Sequence, residues 1–382
     1  MIYFDNAATT WPKPTEVQRA MVRAMNECGG NPGRSSHRLS VRASEEVFLC
    51  RKKVASLFGA KNPTCVVFTP NATQALNLAI RCFAEKGKGI LLSDIEHNSV
   101  LRPAHRTGCP VSFYRVAETE GETAANFDSA LSDGIGLVVA SHHSNLCGLR
   151  NPIEEIGKRC REKGVRFVAD LSQSAGSEKI DLSSTCADCL CSAGHKGLFG
   201  PMGTGFALFA DRYADERESA SLPAFLSGGN GIATFDREMP PFLPERFETG
   251  TLPVPALAGL SAGISFVSRY GEDLIREKLL RLDRRLKENL SLIEGIEVYL
   301  PDLFGGIVLF SSKSASPSRL TALLDEEGFA LRSGFHCAPT AHEKLGTAET
   351  GAIRASFSLF NTEREVDRFS FALERLLRNL PG

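Results

Sequence analysis

The sequence predicts an α/β protein: a large domain on a mainly parallel seven-stranded sheet, followed by a smaller α+β C-terminal domain. Three observations carry this. Short β-branched runs alternate with longer helical patterns, as a parallel sheet with crossover helices requires. The 382 residues exceed what one compact core supports. After a Pro- and Gly-rich stretch, residues 228–255, the texture changes to amphipathic helices and shorter strands. The expected division is a large domain over 13–255 and a small one over 256–382, with residues 1–12 packing against the small one.

A first helix is expected from Thr15, where Thr15-Glu16-Val17-Gln18 has capping-box spacing, to Gly29-Gly30. Strands are expected at 65–69, 90–93, 111–116, 137–141, 165–170, 189–192 and 205–210, with helices at 72–83, 99–107 and 153–163 between them. Beyond residue 255 the pattern gives helices at 256–269 and 272–292. Strands follow at 307–310, 330–332 and 352–356, and a final helix at 363–377.

Hydrophobic residues at 42% and charged residues at 23% are ordinary for a soluble globular chain. A net charge of -1 gives no electrostatic reason to expect nucleic acid or an anionic membrane as partner. The start, Met1-Ile2-Tyr3-Phe4-Asp5, lacks the basic and apolar regions of a signal peptide, and no apolar stretch is long enough to span a bilayer. Eleven cysteines without a secretion signal fit reduced thiols. The expectation is a cytoplasmic protein.

Three segments carry chemistry. Asn71-Ala72-Thr73 follows the first sheet strand, where a helix start offers free N–H groups to an anion and Thr73 adds a hydroxyl. Taken alone it reads more readily as a plain N-cap. Asp170 ends a buried strand, at the sheet edge where open α/β proteins bind ligands. A carboxylate there can keep a pyridinium nitrogen protonated; alone, it is a turn residue. Lys196 lies in Ser192-Ala193-Gly194-His195-Lys196-Gly197, among small residues that desolvate an amine and favour imine formation. A lone lysine in a glycine-rich loop is otherwise a solvated surface residue. Together and in this order, phosphate cradle, pyridinium partner and imine-forming lysine are what a pyridoxal 5'-phosphate site requires. Cys186, Cys189 and Cys191 lack a second ligand pair, so packing is expected and no metal.

With these residues in place, the sequence resembles the class V aminotransferases. Within them it resembles the short-loop branch of the cysteine desulfurases and selenocysteine lyases, in a side subfamily. The matching segments include Tyr3-Phe4-Asp5-Asn6-Ala7-Ala8-Thr9, Glu96-His97-Asn98, Ser141-His142-His143-Ser144-Asn145, Ala169-Asp170-Leu171-Ser172-Gln173 and Gly194-His195-Lys196. They continue through Arg246-Phe247-Glu248-Thr249-Gly250-Thr251, Arg332-Ser333-Gly334-Phe335-His336-Cys337-Ala338 and Arg354-Ala355-Ser356. The resemblance implies the fold-type I architecture of pyridoxal-phosphate enzymes. It implies that Lys196 carries the cofactor as a Schiff base, Asp170 pairs with the ring nitrogen, Gln173 meets the phenolate oxygen and His97 stacks on the ring and moves protons. Ala72, Thr73 and His195 would bind the phosphate, with Thr251 reaching it from the other subunit of a homodimer. Ala7, Asn145 and Arg354 would hold the substrate carboxylate, and Cys337 would be the nucleophile. L-cysteine or selenocysteine would be the substrate, and a sulfur-acceptor protein a further partner. Other lyase or transaminase chemistry on the same fold, or a non-catalytic scaffold, are the alternatives.

Two departures stand out. The position three before the lysine, usually Ser in this family, is Ala193, with Ser192 one earlier; and the stretch from Lys196 to Gly200-Pro201 is one residue longer. His142 reads as a core residue, while His143 and His37, in Arg34-Ser35-Ser36-His37, are open. His336, next to Cys337, would point to the opposite face of a strand and so is not expected to be its base.

Overall fold

The computed structural model describes residues 1–33, 35–303 and 305–380; Arg34, in the His37 segment, lies outside them. In chain order the first half comprises β1 (Ile2–Tyr3), α1 (Thr15–Glu27), α2 (Arg38–Leu57), β2 (Val66–Thr69), α3 (Ala72–Phe83), β3 (Gly89–Ser93), α4 (Asn98–Arg106), β4 (Val111–Tyr114), α5 (Glu120–Ala130), β5 (Ile135–Ser141), α6 (Ile153–Glu162) and β6 (Arg166–Asp170). Then come α7 (Leu182–Thr185), β7 (Cys189–Ala193), β8 (Gly205–Phe209), α8 (Glu216–Ala220), α9 (Val254–Tyr270), α10 (Glu272–Ser291), β9 (Ile296–Tyr299), β10 (Ile307–Ser312), α11 (Pro317–Glu326), β11 (Phe329–Ala330), β12 (Arg332–Gly334), α12 (Pro339–Lys344), β13 (Ala352–Ser356) and α13 (Glu363–Arg378).

The central sheet has seven strands in the order β2-β8-β7-β6-β5-β3-β4. Only β8 runs antiparallel to its neighbours. Strands β5, β7 and β8 are buried along their whole length, which is why they read as continuous apolar runs. From β3 the next strand in sequence, β4, lies on one side and β5 on the other. This reversal is a topological switch point, and the crevice outside the carboxyl ends of such strands is where ligands bind.

A second, four-stranded antiparallel sheet, β12-β13-β10-β9, is covered by α10, α11 and α13. Leu282, Leu286, Phe310 and Phe369 form its core together with Ile2 and Phe4 from the N-terminus, and β1 pairs in parallel with β11. Helix α9 packs on α1 and α2 and sends Leu257, Leu260 and Ile264 into the first core. It presses closely on the loop after β7: a Cβ at Gly263 would stand 2.3 Å from the Leu198 carbonyl oxygen. On the loop's other side, a Cβ at Gly176 would meet the Gly197 oxygen at 2.3 Å, so backbone rests on backbone around Lys196.

The expected elements occur in the expected order; β1, α2, α5, α7, α8, β9, α11 and α12 stand outside the expected set, and two expected features take another form. The capping box at Thr15 does not form. Thr15 is already helical and Pro14 occupies the cap position in extended backbone, so the Thr15 hydroxyl meets the neighbouring Glu16 carboxylate instead. The strand expected at 330–332 is two: β11 turns to β1, and β12 pairs with β13. Helix α2 was not expected; Ala43, Val47, Cys50 and Val54 line its buried face.

Candidate active site

The carboxyl ends of β2, β3, β5, β6 and β7 converge on one pocket, whose walls include Thr73, His97, Asn145, Asp170, Lys196 and Arg354. Asp170 ends β6, Thr73 sits in the first turn of α3 after β2, and His97, Asn145 and Lys196 lie in the connections after β3, β5 and β7; Arg354 comes from β13 of the second sheet. Lys196 Nζ has no hydrogen bond or ion pair to any described residue. Burial pulls its pKa down to about 8, against the opposing pull of Asp170. Asp170 is 6% exposed, and Ser172 donates both its N–H (2.9 Å) and its hydroxyl (2.5 Å) to one oxygen, Oδ1. That leaves Oδ2 to meet a cationic N–H. Burial raises the Asp170 pKa, while the Ser172 hydrogen bonds and the nearby Lys196 oppose the rise.

Asn71 caps α3 by accepting from Gln74 N–H at 2.9 Å, leaving the N–H groups of Ala72 and Thr73 at the pocket. His195 lines the same wall; its Nδ1 pairs with Thr9 Oγ1 at 3.1 Å, and its carbonyl accepts from Lys13 Nζ at 2.6 Å. Ala193 also faces the pocket. Ser192, one residue earlier on β7, does not: its hydroxyl is fully buried and turned to the Ala193 carbonyl, as strand alternation requires.

His97 caps α4, with Nδ1 accepting from Ser99 N–H at 3.0 Å, so the proton of the neutral ring sits on Nε2. Burial first, then the positive charges of Lys196, Arg332 and Arg354, lower its pKa to about 4. Behind it, Glu96 is fully buried and accepts from Ser141 N–H (2.8 Å) and Ser141 Oγ (2.6 Å), tying the end of β5 to the His97 turn. Gln173 donates through Nε2 to the Ala7 carbonyl at 3.1 Å.

On the opposite wall Arg354 is 1% exposed. It donates to the Asn145 carbonyl at 2.7 Å and to Asp5 Oδ1 at 2.7 Å, while its Nε is buried without a partner. The Asn145 amide donates to the His336 carbonyl at 2.8 Å. Cys337 lies beyond β12 in a turn rather than a strand, with its thiol 4.0 Å from an Arg332 guanidinium nitrogen. It is the exposed cysteine among eleven, none of them in a disulfide; the rest are buried or half-buried. Both ring nitrogens of His336 are engaged, with His342 Nε2 at 3.4 Å and the Arg332 carbonyl at 3.2 Å, so neither is free to act as base for Cys337.

Some expected residues stand elsewhere. Thr251 is exposed, outside its own chain's pocket, and accepts from Asn31 Nδ2 at 3.1 Å. His37 caps α2, its Nδ1 accepting from Ser40 N–H at 3.3 Å. His142 is buried and accepts from Arg150 at 3.3 Å, whereas His143 stands on the wall between this pocket and an adjoining cavity. Cys189 and Cys191 are buried in β7 with sulfurs 3.8 Å apart. Asp5, Ser172 and Arg332 support the site but were not singled out beforehand. Asp5 and Arg332 sit inside recognisable segments, yet only the fold brings them to Arg354 and Cys337.

An unpartnered amine, an open carboxylate oxygen, N–H groups at a helix start and an orphaned guanidinium nitrogen fit one ligand set. They suit a pyridine ring with a phosphate, and a carboxylate-bearing substrate beside it. Among the described residues, no cluster of His, Cys, Asp or Glu could hold a metal ion, and no helix is long and apolar enough to cross a membrane.

The Aminotransferase class-V family model matches residues 2–369, and the chain belongs to that family, whose enzymes depend on pyridoxal phosphate. Within it, the chain is similar to cysteine desulfurases. It is 32% identical to a probable cysteine desulfurase of Methanothermobacter thermautotrophicus, over 98% of this chain and 94% of the relative. It is 34% identical to one of Pyrococcus abyssi, over 100% and 95%. The apo structure of cysteine desulfurase from Thermococcus onnurineus superposes with a TM-score of 0.89 at 32% identity, covering 99% of this chain and 95% of that one.

Proposed function

We propose that this protein is a pyridoxal-phosphate-dependent cysteine desulfurase that converts L-cysteine to L-alanine and keeps the sulfur as a persulfide on Cys337. The observation that carries this is the position of the one exposed thiol. Of eleven cysteines, Cys337 alone is exposed, and it stands beside pocket residues Arg332 and His336. The net change is balanced: cysteine and the Cys337 thiol give alanine and a Cys337 persulfide, one C–S bond breaking as one S–S bond forms.

Bound here, the cofactor supplies an electron sink for bond changes in the amino-acid substrate. Lys196 would anchor it, Asp170 would hold a proton on its ring nitrogen, and Gln173 would face its phenolic oxygen. His97 would cover the ring face. Ala72, Thr73 and His195 would hold the phosphate, with Ala193 contributing only backbone. Arg354 would take the substrate carboxylate through its unpartnered edge, beside Asn145 and Ala7. With its pKa near 8, Lys196 can carry the α-proton at ordinary pH. Cys337 would attack the substrate sulfur as a thiolate, with the cationic Arg332 nearby.

We further read the enzyme as a cytoplasmic homodimer. The exposed Thr251 would complete the phosphate site of the second copy, and the exposed Val22, Met25, Phe48 and Leu49 on α1 and α2 would supply contact surface. We read the chain as a large domain over 13–255 and a small one over 256–382 carrying residues 1–12; the second core supports the small one from α10 onward, whereas α9 buries its apolar face in the first core. A sulfur-acceptor protein would have to dock close to Cys337, whose turn has little reach. The test is alanine production from L-cysteine by the yellow holoenzyme and by Cys337→Ala. Alanine formed undiminished by the variant would remove Cys337 from the reaction.

A further inference from the structure

His336 and Cys337 are consecutive residues with φ of 49° and 57°, in the left-handed region that side chains other than glycine rarely adopt. Two such residues in a row persist only where their surroundings over-determine them. Here both carbonyls are held from outside the turn: Asn145 Nδ2 donates to that of His336 at 2.8 Å, and Asn98 N–H, at the start of α4, to that of Cys337 at 2.8 Å.

The side-chain restraint is a three-residue chain in the small domain. The Arg332 carbonyl can only accept, so the His336 nitrogen 3.2 Å away, Nε2, carries the proton. Nδ1 of the neutral ring is then an acceptor, and the group facing it at 3.4 Å, His342 Nε2, must donate. His342 Nδ1 is left to accept from the Thr347 hydroxyl at 2.6 Å. His336, His342 and Thr347 are 3%, 1% and 0% exposed, and the two rings lie nearly coplanar, 13° apart with centroids 5.6 Å apart, as an in-plane N–H···N bond requires. Burial disfavours the charged form of both rings, which keeps this one-way order of donors intact.

We infer that His342 and Thr347 are positioning residues for Cys337: their hydrogen-bond chain locks His336, and through it the left-handed pair that sets where the Cys337 thiol points. Neither touches the cofactor pocket. The inference rests on Cys337 as the sulfur-accepting group and names what holds it in place.

The test uses the holoenzyme with two substrates. L-Cysteine needs both Lys196 and Cys337, whereas 3-chloroalanine needs only the Lys196 half, because chloride leaves without a nucleophile. Thr347→Val and His342→Leu should lower kcat for cysteine roughly 10- to 100-fold, the scale of a misplaced reacting group. KM, cofactor absorbance and 3-chloroalanine turnover should be unchanged, and persulfide formed on Cys337 in one turnover should fall in step with kcat. His342→Gln, whose amide can still donate toward His336, should recover most of the loss. Equal loss on both substrates, unchanged cysteine turnover, or no recovery in His342→Gln would overturn the inference. If His342→Leu does not fold, Thr347→Val, which preserves shape, decides alone. Cys337→Ala run alongside separates the two levels. Cysteine turnover surviving in it sinks the functional reading, whereas its loss with Thr347→Val unaffected sinks only the positioning role.

Discussion

Replacing Arg354 by lysine keeps the charge and removes the planar fork. In the native protein the guanidinium spends one nitrogen on the Asn145 carbonyl and one on Asp5, both at 2.7 Å, and holds Nε buried without a partner. A single ammonium cannot keep both contacts and also pair side by side with a substrate carboxylate. The interaction lost is at least one charge-assisted hydrogen bond in a buried setting, about 1.5–3 kcal/mol. That corresponds to a rise of roughly 10- to 150-fold in KM for L-cysteine. Because the contact is made equally before and during the reaction, kcat should move much less. Steady-state alanine formation gives both constants, and thermal unfolding checks that freeing Asp5 has not loosened the N-terminal segment. A KM within about twofold of wild type, in a variant of native stability, would refute Arg354 as the carboxylate anchor.

The depressed Lys196 pKa sets the pH dependence of cofactor uptake. Uptake requires the neutral amine, so the rate at which apo-protein turns yellow should rise with pH with a midpoint near 8. Asp170 pulls that pKa upward, so Asp170→Asn should move the midpoint lower; a wild-type midpoint close to that of free lysine would contradict the burial. Asp283, with no exposed surface, accepts from Gly305 and Gly306 N–H at 2.7 and 2.8 Å and pairs with the buried Lys287 at 3.2 Å. Asp283→Ala should cost about 3–5 kcal/mol in urea unfolding, because it removes the carboxylate that neutralises a buried ammonium; a loss under about 1 kcal/mol would contradict a stabilising role for the pair. Thr251→Ala should weaken cofactor binding, and mixing it with a Lys196→Ala chain should form hybrid sites of two kinds, one of them intact. A mixture that binds cofactor no more tightly than Thr251→Ala alone would argue against a shared phosphate site.

Much of this was legible in sequence because the signals were local. Helix α3 and strand β13 match their expected bounds, since buried strands read as apolar runs and α3 starts at a polar cap and continues as an amphipathic helix. Lys196, Asp170, Thr73 and His97 were legible because each ends its strand or follows it within a few residues, and the sheet does the rest. What was not legible depends on partners distant in sequence. The split of β11 from β12 follows from β1 claiming the first, a contact between residues 2–3 and 329–330 that no local pattern announces. Thr15 failed as a cap because Pro14 already held that place. Ser192 stands one residue before the position of the missing phosphate serine, and strand alternation turns it away from the pocket. The His336–His342–Thr347 chain was also hidden. In sequence these are two histidines and a threonine near a cysteine, and only the left-handed turn brings their side chains into line.

The most direct measurement is the fate of sulfur on the protein itself. After the holoenzyme is incubated with L-cysteine isotopically labelled at sulfur, alkylated and digested, mass spectrometry should find one labelled sulfur added to the peptide containing Cys337. Cys337→Ser should carry none and form no alanine. Labelled sulfur on another cysteine, or alanine released by Cys337→Ser as fast as by wild type, would contradict the assignment of Cys337 as the sulfur acceptor.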